Sequence, residues 1–173
     1  AWGTTCTDFT NQQIQNINEL CAQYDITVEC MGTPIGKTPI QAPIENEAER
    51  LKRIADIAHQ LGTKNLRIFS FYPEAEAKNQ VDKWWEQLHP YIGYIHIKDA
   101  LIADRKVTPA GEGDGQVKEL LTQLHAHNYD GILSLEPHLV VAGHSSGFSG
   151  EDGMTVAVKA LRKLMTEVGI QEG

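Results

Sequence analysis

Stretches with an apolar residue at every third or fourth position trade places repeatedly with short runs of β-branched and aliphatic residues along this chain. The first helical stripe is Ile14, Ile17, Leu20, Cys21 and Tyr24, with Thr10 and Gln13 spaced as a capping box at its start. An extended run, Ile26 to Met31, leads into a loop rich in Gly and Pro through Thr33, Pro34, Gly36 and Pro43. Leu51, Ile54, Ala55, Ala58 and Leu61 form the next stripe, closed by Gly62, and Leu66 to Tyr72 the next strand. Pro73 suits the first turn of a third helix carrying Ala77, Val81, Trp84, Trp85 and Leu88, which Pro90 ends before the strand Ile92 to Lys98. A helix with Val117, Leu120, Leu121 and Leu124, a strand from Ile132 to Glu136, and a last helix with Val158, Leu161, Leu164, Met165 and Val168 complete the pattern.

Helices alternating with strands through short connections imply an α/β fold with a parallel sheet, because right-handed crossovers lay each helix on a face of the sheet. Parity within the strands separates the two faces. Ile95 and Ile97 oppose Tyr94, His96 and Lys98, and Leu133 and Leu135 oppose Ser134 and Glu136. One face is aliphatic and meets the helices. The other carries His96 and Glu136 at strand carboxyl ends, where the mouth of a barrel forms its sites. One domain spanning 1–173 is expected, and on this pattern alone the parallel sheet is either flat or barrel-like.

Composition bounds the partners. Hydrophobic residues make up 41% and charged residues 22%, and no apolar run approaches the roughly 20 residues that cross a bilayer. A formal charge of −8, with Lys and Arg scattered, opposes a nucleic-acid partner. Cys6, Cys21 and Cys30 form no CxxC pair and no even set, which fits a reducing cytoplasm. No signal peptide opens the chain, and it begins at Ala1 rather than Met, so a segment removed upstream is expected.

A His and a carboxylate at the ends of neighbouring strands can share one divalent cation, as imidazole nitrogen and carboxylate oxygen suit Mn, Co, Mg or Zn. The bland alternative makes His96 a hydrogen-bonded core residue and Glu136 an ion-pair partner of Lys98 or Arg67. Lys37 and Arg67 are candidates for holding a sugar hydroxyl or a phosphate, with solvated or ion-paired side chains as the alternative. His138, after Pro137, either touches substrate or lies on a surface loop. Trp84 and Trp85 are expected in the core, and His144 in a solvated loop. Gly111 to Gly115 lacks the Lys-Ser/Thr of a phosphate-binding loop and carries Glu112 and Asp114, so a mobile loop over the mouth is expected instead.

Three segments fall in a telling order: Tyr94-Ile95-His96-Ile97-Lys98-Asp99-Ala100, then Gly111-Glu112-Gly113-Asp114-Gly115, then Ser134-Leu135-Glu136-Pro137-His138-Leu139. They resemble the last two strand units of the xylose-isomerase-like sugar isomerases and epimerases. Thr33-Pro34-Ile35-Gly36-Lys37 and Arg67-Ile68-Phe69-Ser70-Phe71-Tyr72 look like earlier segments of the same family, so the resemblance covers nearly the whole chain. It implies a (β/α)8 barrel holding a divalent metal through Glu, Asp, His and Glu, with His96 and Glu136 in the last two places. It further implies Glu136 as an acid/base beside the substrate carbon, and Lys37, Arg67, Lys98 and His138 as substrate-binding residues. The implied substrate is a sugar or sugar phosphate.

The chain departs from that pattern between the Trp84-Trp85 helix and Leu88-His89-Pro90-Tyr91, where no residues remain for the strands of the first Glu and the Asp. Measured against the usual eight strands, about three are absent, apart from a remnant at Ala1 to Gly3. The resemblance thus implies a partial (β/α) TIM-type barrel of about four or five parallel strands with helices outside, for which a truncated barrel and an omitted stretch both account. With one carboxylate, two-base epimerisation is disfavoured, and open sheet edges favour a homodimer. A non-catalytic remnant that binds a small polyol or serves as a structural dimer is the alternative. The related metal-dependent endonucleases are opposed by the acidic balance.

Overall fold

The computed structural model describes residues 3–39, 42–69, 80–139 and 150–172. The chain folds as two compact units, Ala1–Glu74 and Ala75–Gly173.

In the first unit, a 3-10 turn at Cys6–Asp8 precedes α1 (Asn11–Tyr24). Thr10 caps α1 as expected: its hydroxyl accepts from the Gln13 backbone N–H, and the Gln13 side chain accepts from the Thr10 N–H at 2.9 Å. Only the first part of the α1 stripe is covered, since Ile14 is buried whereas Leu20 and Tyr24 face solvent. β1 (Met31–Gly32) pairs in parallel with β2 (Leu66–Arg67), flanking α2 (Ile44–Gln60) in sequence. The paired part of the expected strand at 26–31 is thus only its end, and Ile26 is exposed. On α2 the buried stripe is Ile54, Ile57 and Ala58, continued by Leu61; Leu51 and Ala55, assigned to the stripe from spacing, are exposed. With Phe9, Ile14, Met31 and Ile35 these residues form one apolar core.

In the second unit, α3 (Gln80–Leu88) runs into a 3-10 turn, His89–Tyr91, at the proline that blocks further helix. β3 (Tyr94–Ile97) pairs in parallel with β6 (Ile132–Leu135), and His96 lies opposite Ser134. Between them come an antiparallel hairpin, β4 (Asp99–Leu101) with β5 (Lys106–Thr108), and α4 (Val117–Ala126). α5 (Gly150–Val168) follows β6. The core packs Ile97, Val117, Leu121, Leu124, Leu161, Leu164 and Trp85 together, with Ile95, Leu133 and Leu135 against it. The aliphatic parity of β3 and β6 therefore faces the helices. Tyr94 and His96 lie on the opposite, exposed face.

The coarse class holds, with helices, strands and small parallel sheets in one chain. The described residues form three two-stranded sheets and no closed barrel. Among them no helix is long and apolar enough to cross a membrane. Ser70 to Tyr72, Pro73, Ala77, the Trp84 side chain, His144 and the start of the Ala1 to Gly3 remnant lie outside the described residues.

Candidate functional site

Parallel pairing of β3 with β6 puts their carboxyl ends side by side. The pairing continues one residue past β6, where the Glu136 N–H donates to the Ile97 carbonyl at 3.1 Å. That bond sets Glu136 level with the residues just beyond β3. Parity then turns His96, Ser134 and Glu136 to the same face. His96 Nδ1 lies 3.6 Å from Glu136 Oε2 and 3.2 Å from Ser134 Oγ. Lys98 Nζ stands 3.8 Å from Glu136 Oε1, and His138 Nε2 only 3.2 Å from the same oxygen. The Glu136 carboxylate is 25% exposed, so it meets solvent while ringed by three basic side chains.

His138 reaches that oxygen from an unusual backbone. Its φ of 43° is in the left-handed region, sparsely populated by non-glycine residues and found where surrounding structure holds it. The turn after Pro137 brings the imidazole onto Glu136 while leaving it exposed to solvent, 46% accessible.

Next in sequence to Lys98 is Asp99, 3% exposed. Its carboxylate accepts from four backbone N–H groups: Ala100 and Gly115 at Oδ1, both at 2.9 Å, and Gly111 and Gly113 at Oδ2, at 2.8 and 3.1 Å. The Gly111 to Gly115 segment, expected as a mobile loop, is instead wound around a buried carboxylate. A Cβ on Gly113 would run into Asp99 Oδ1 and the Ala100 carbonyl, so the backbone approaches the carboxylate only because no side chain intervenes. Asp99 has no role in the expectations above; its signal is the alternation of carboxylate and closely spaced glycines on two sides of a short hairpin.

The substrate-binding candidates fall into two groups. Lys98 and His138 join His96 and Glu136 in the second unit. Lys37 and Arg67 meet in the first unit, where Lys37 Nζ and the Arg67 guanidinium carbon lie 4.4 and 4.6 Å from the centre of the Phe69 ring. Of the ion pairs expected for Glu136, the one with Lys98 is present. Ser134 was visible in the parity of β6 but carried no assigned role; its register opposite His96 supplies one. Trp85 is buried as expected, stacked on His89 and directing its indole N–H at the His127 ring, 3.1 Å from Nδ1.

For a divalent metal the donor set can be tested. The spacing between His96 Nδ1 and Glu136 Oε2 suits adjacent ligands of one cation, since bonds of about 2.1 Å meeting near a tetrahedral angle place donors roughly 3.4 Å apart. Among the described residues no group of three or more His, Cys, Asp or Glu is arranged to hold a metal. Two ligands fall short of the three or four protein donors of stable zinc-type sites. The described residues therefore do not by themselves fit a resident cation.

Fold and site together define an α/β chain with a carboxylate, two imidazoles, an ammonium and a hydroxyl gathered at the ends of two parallel strands. No family model and no curated protein matches the chain.

Proposed function

We propose that this chain is a sugar or sugar-phosphate isomerase of the xylose-isomerase-like kind, in which Glu136 transfers a proton next to a carbonyl. The observation that carries the reading is the convergence of His96, Lys98 and His138 on the Glu136 carboxylate at the ends of paired strands. A carboxylate can remove the proton from a carbon beside a carbonyl and return it to the neighbouring carbon of the resulting enediolate. The Lys98 ammonium and the imidazole N–H groups of His96 and His138 offer donors to the oxygen where negative charge develops. Ser134 positions His96 by holding Nδ1.

One carboxylate favours isomerisation over two-base epimerisation, because a single base can withdraw and deliver the proton on one face of the substrate. The divalent cation implied by the resemblance, Mn, Co, Mg or Zn, enters this proposal as a ligand of His96 and Glu136 with further donors from outside the described set, and no step above depends on it. A homodimer belongs to the same reading. A second reading, a polyol-binding or structural dimer without turnover, is favoured by that same solitary carboxylate.

The test is wash-in of solvent deuterium at carbon beside the carbonyl of small aldoses and ketoses, with and without added Mn. Glu136→Gln should lower the rate by at least about 100-fold, the lower end for loss of a general base. Exchange that is equal in the native and Glu136→Gln chains would remove Glu136 from the reaction. Polyol binding by calorimetry with no exchange in the native chain would decide for the second reading.

A further inference from the structure

The cluster at the ends of β3 and β6 holds an amine as well as a carboxylate. His96 and Glu136 supply two of the three or four protein donors of a stable zinc-type site, so drawing electrons from a substrate carbonyl falls to a further group. Lys98 stands in the right place for it. Its Nζ lies 3.8 Å from Glu136 Oε1, and His138 Nε2 approaches that same oxygen at 3.2 Å. An amine, a base beside it and a third side chain that orients the base make up the arrangement of an activated nucleophile.

The backbone fixes Lys98 from both sides. The Ile97 carbonyl before it accepts the Glu136 N–H at 3.1 Å, and the Asp99 carboxylate after it is bound by four backbone N–H groups. Asp99 is thereby committed to its loop, and Lys98 reaches across the strand pair to Glu136. The Lys98 side chain is 39% exposed, so a small molecule can meet Nζ, yet it is less accessible than Lys118 at 53% or Lys52 at 73%.

We propose that Lys98 forms an imine with the ketone carbon of a short-chain ketose, and that Glu136 takes the proton from the neighbouring carbon of that adduct. The inference rests on the proton-transfer reading of Glu136 and names the electron sink and the substrate class for it. The Lys98 amine, its ammonium proton released to solvent, adds its lone pair to the ketone carbon. The C=O π pair moves to oxygen, which takes up a proton while the nitrogen gives one to solvent. The hydroxyl so formed takes a second proton and leaves as water, and the nitrogen lone pair closes the C=N bond of an iminium. The Glu136 carboxylate then removes the adjacent C–H proton, and the C–H pair becomes the C=C bond of a neutral enamine. Return of the proton and hydrolysis run these steps backwards, so no co-reactant besides water is needed. A positive nitrogen bonded to the carbon takes the developing charge directly, which is the advantage of covalent catalysis by an amine. Three-carbon ketoses cannot close into a ring, so they present the free carbonyl that an amine attacks.

The experiment is reduction of the full chain with sodium cyanoborohydride in the presence of dihydroxyacetone and a chelator, followed by peptide mass mapping. The expected result is one adduct, with the mass of the ketose less one oxygen, on the peptide carrying Lys98 and ahead of the more exposed Lys52 and Lys118. Lys98→Arg keeps the positive charge without the nucleophile and should lose both the adduct and the exchange of solvent deuterium into dihydroxyacetone. Glu136→Gln should keep the adduct and lose the exchange. A Lys98 adduct with no exchange in the native chain would support the imine and remove the proton-transfer reading. Exchange with no adduct, or exchange that persists in Lys98→Arg, would leave that reading standing and overturn the imine. Adducts spread over the lysines in order of their exposure would overturn it as well.

Discussion

Asp99, buried in the second unit, binds four backbone N–H groups with one carboxylate. Each of its oxygens takes two backbone N–H groups, so Asp99→Asn loses two acceptor contacts whichever way the amide turns, and presents N–H to N–H. We expect Asp99→Asn to lower stability by about 2–4 kcal/mol, as for buried donors left unpaired, read from urea unfolding. A change below about 0.5 kcal/mol would mean that the loop does not depend on the carboxylate. Cys6 offers a pH test. Desolvation by burial pushes its thiol up from the ordinary range, only partly offset by its backbone hydrogen bonds. Because the folded chain favours the neutral thiol, this contribution to stability is full below the unfolded thiol's pKa and is lost as pH rises through the folded one. Cys6 should react with a disulfide reagent more slowly than exposed Cys30 at pH 8, with its rate midpoint shifted to higher pH. Equal rates and midpoints would contradict the burial. At this scale strand parity was enough to place His96 and Glu136 on one face. It could not reveal that Asp99 organises a loop 12–16 residues away, because a carboxylate's partners are set by where the backbone returns.

Elements were legible where they are long and amphipathic. α1, α2, α4 and α5 form where apolar periodicity places helices, although Leu20 and Tyr24 on α1 and Leu51 on α2 stay exposed, and the Thr10–Gln13 box starts α1 where the spacing placed it. Thr10→Ala removes the acceptor for the Gln13 N–H and should cost about 1 kcal/mol, with helical content falling at the N-terminal end of α1. Thr10→Asp or Thr10→Ser should recover most of it; no difference between Ala and Ser would show the cap to be idle. Short strands were less legible. β1 and β2 are two residues each, and which part of an apolar run pairs depends on the register of its partner rather than on its own composition. The β4–β5 hairpin carries no local turn signal because its turn, Ile102 to Arg105, has no glycine; Arg105 itself takes the left-handed position with φ 49°. On α2 the spacing does not single out Ile57 over Leu51, although Ile57 is buried and Leu51 exposed. A spacing of three and four residues fits more than one stripe, and packing against Phe9, Ile14 and Met31 selects between them.

At the scale of the whole molecule, helix and strand alternation was enough to call the α/β class but not barrel closure, which depends on strand number and stagger that local patterns do not encode. The parallel pairs β1–β2 and β3–β6 are each two strands wide among the described residues. Two strands alone are marginal in water, and the outer edge of any such pair offers backbone donors and acceptors to a further strand. On the exposed face of β3–β6, Tyr94 lies opposite Ile132, and both are largely solvent-accessible. Edges and exposed apolar side chains of this kind are stabilised by a second copy, since a two-fold axis pairs the same surface with itself. The proposed homodimer therefore predicts a light-scattering mass of twice one chain at micromolar concentration, dissociating on dilution. Ile132→Lys should shift that dissociation to at least about tenfold higher concentration if this face lies in the contact, because a charge buried there is poorly solvated. A mass of one chain across the micromolar range would leave the edges to be satisfied within the chain itself and would remove the dimer from the proposal.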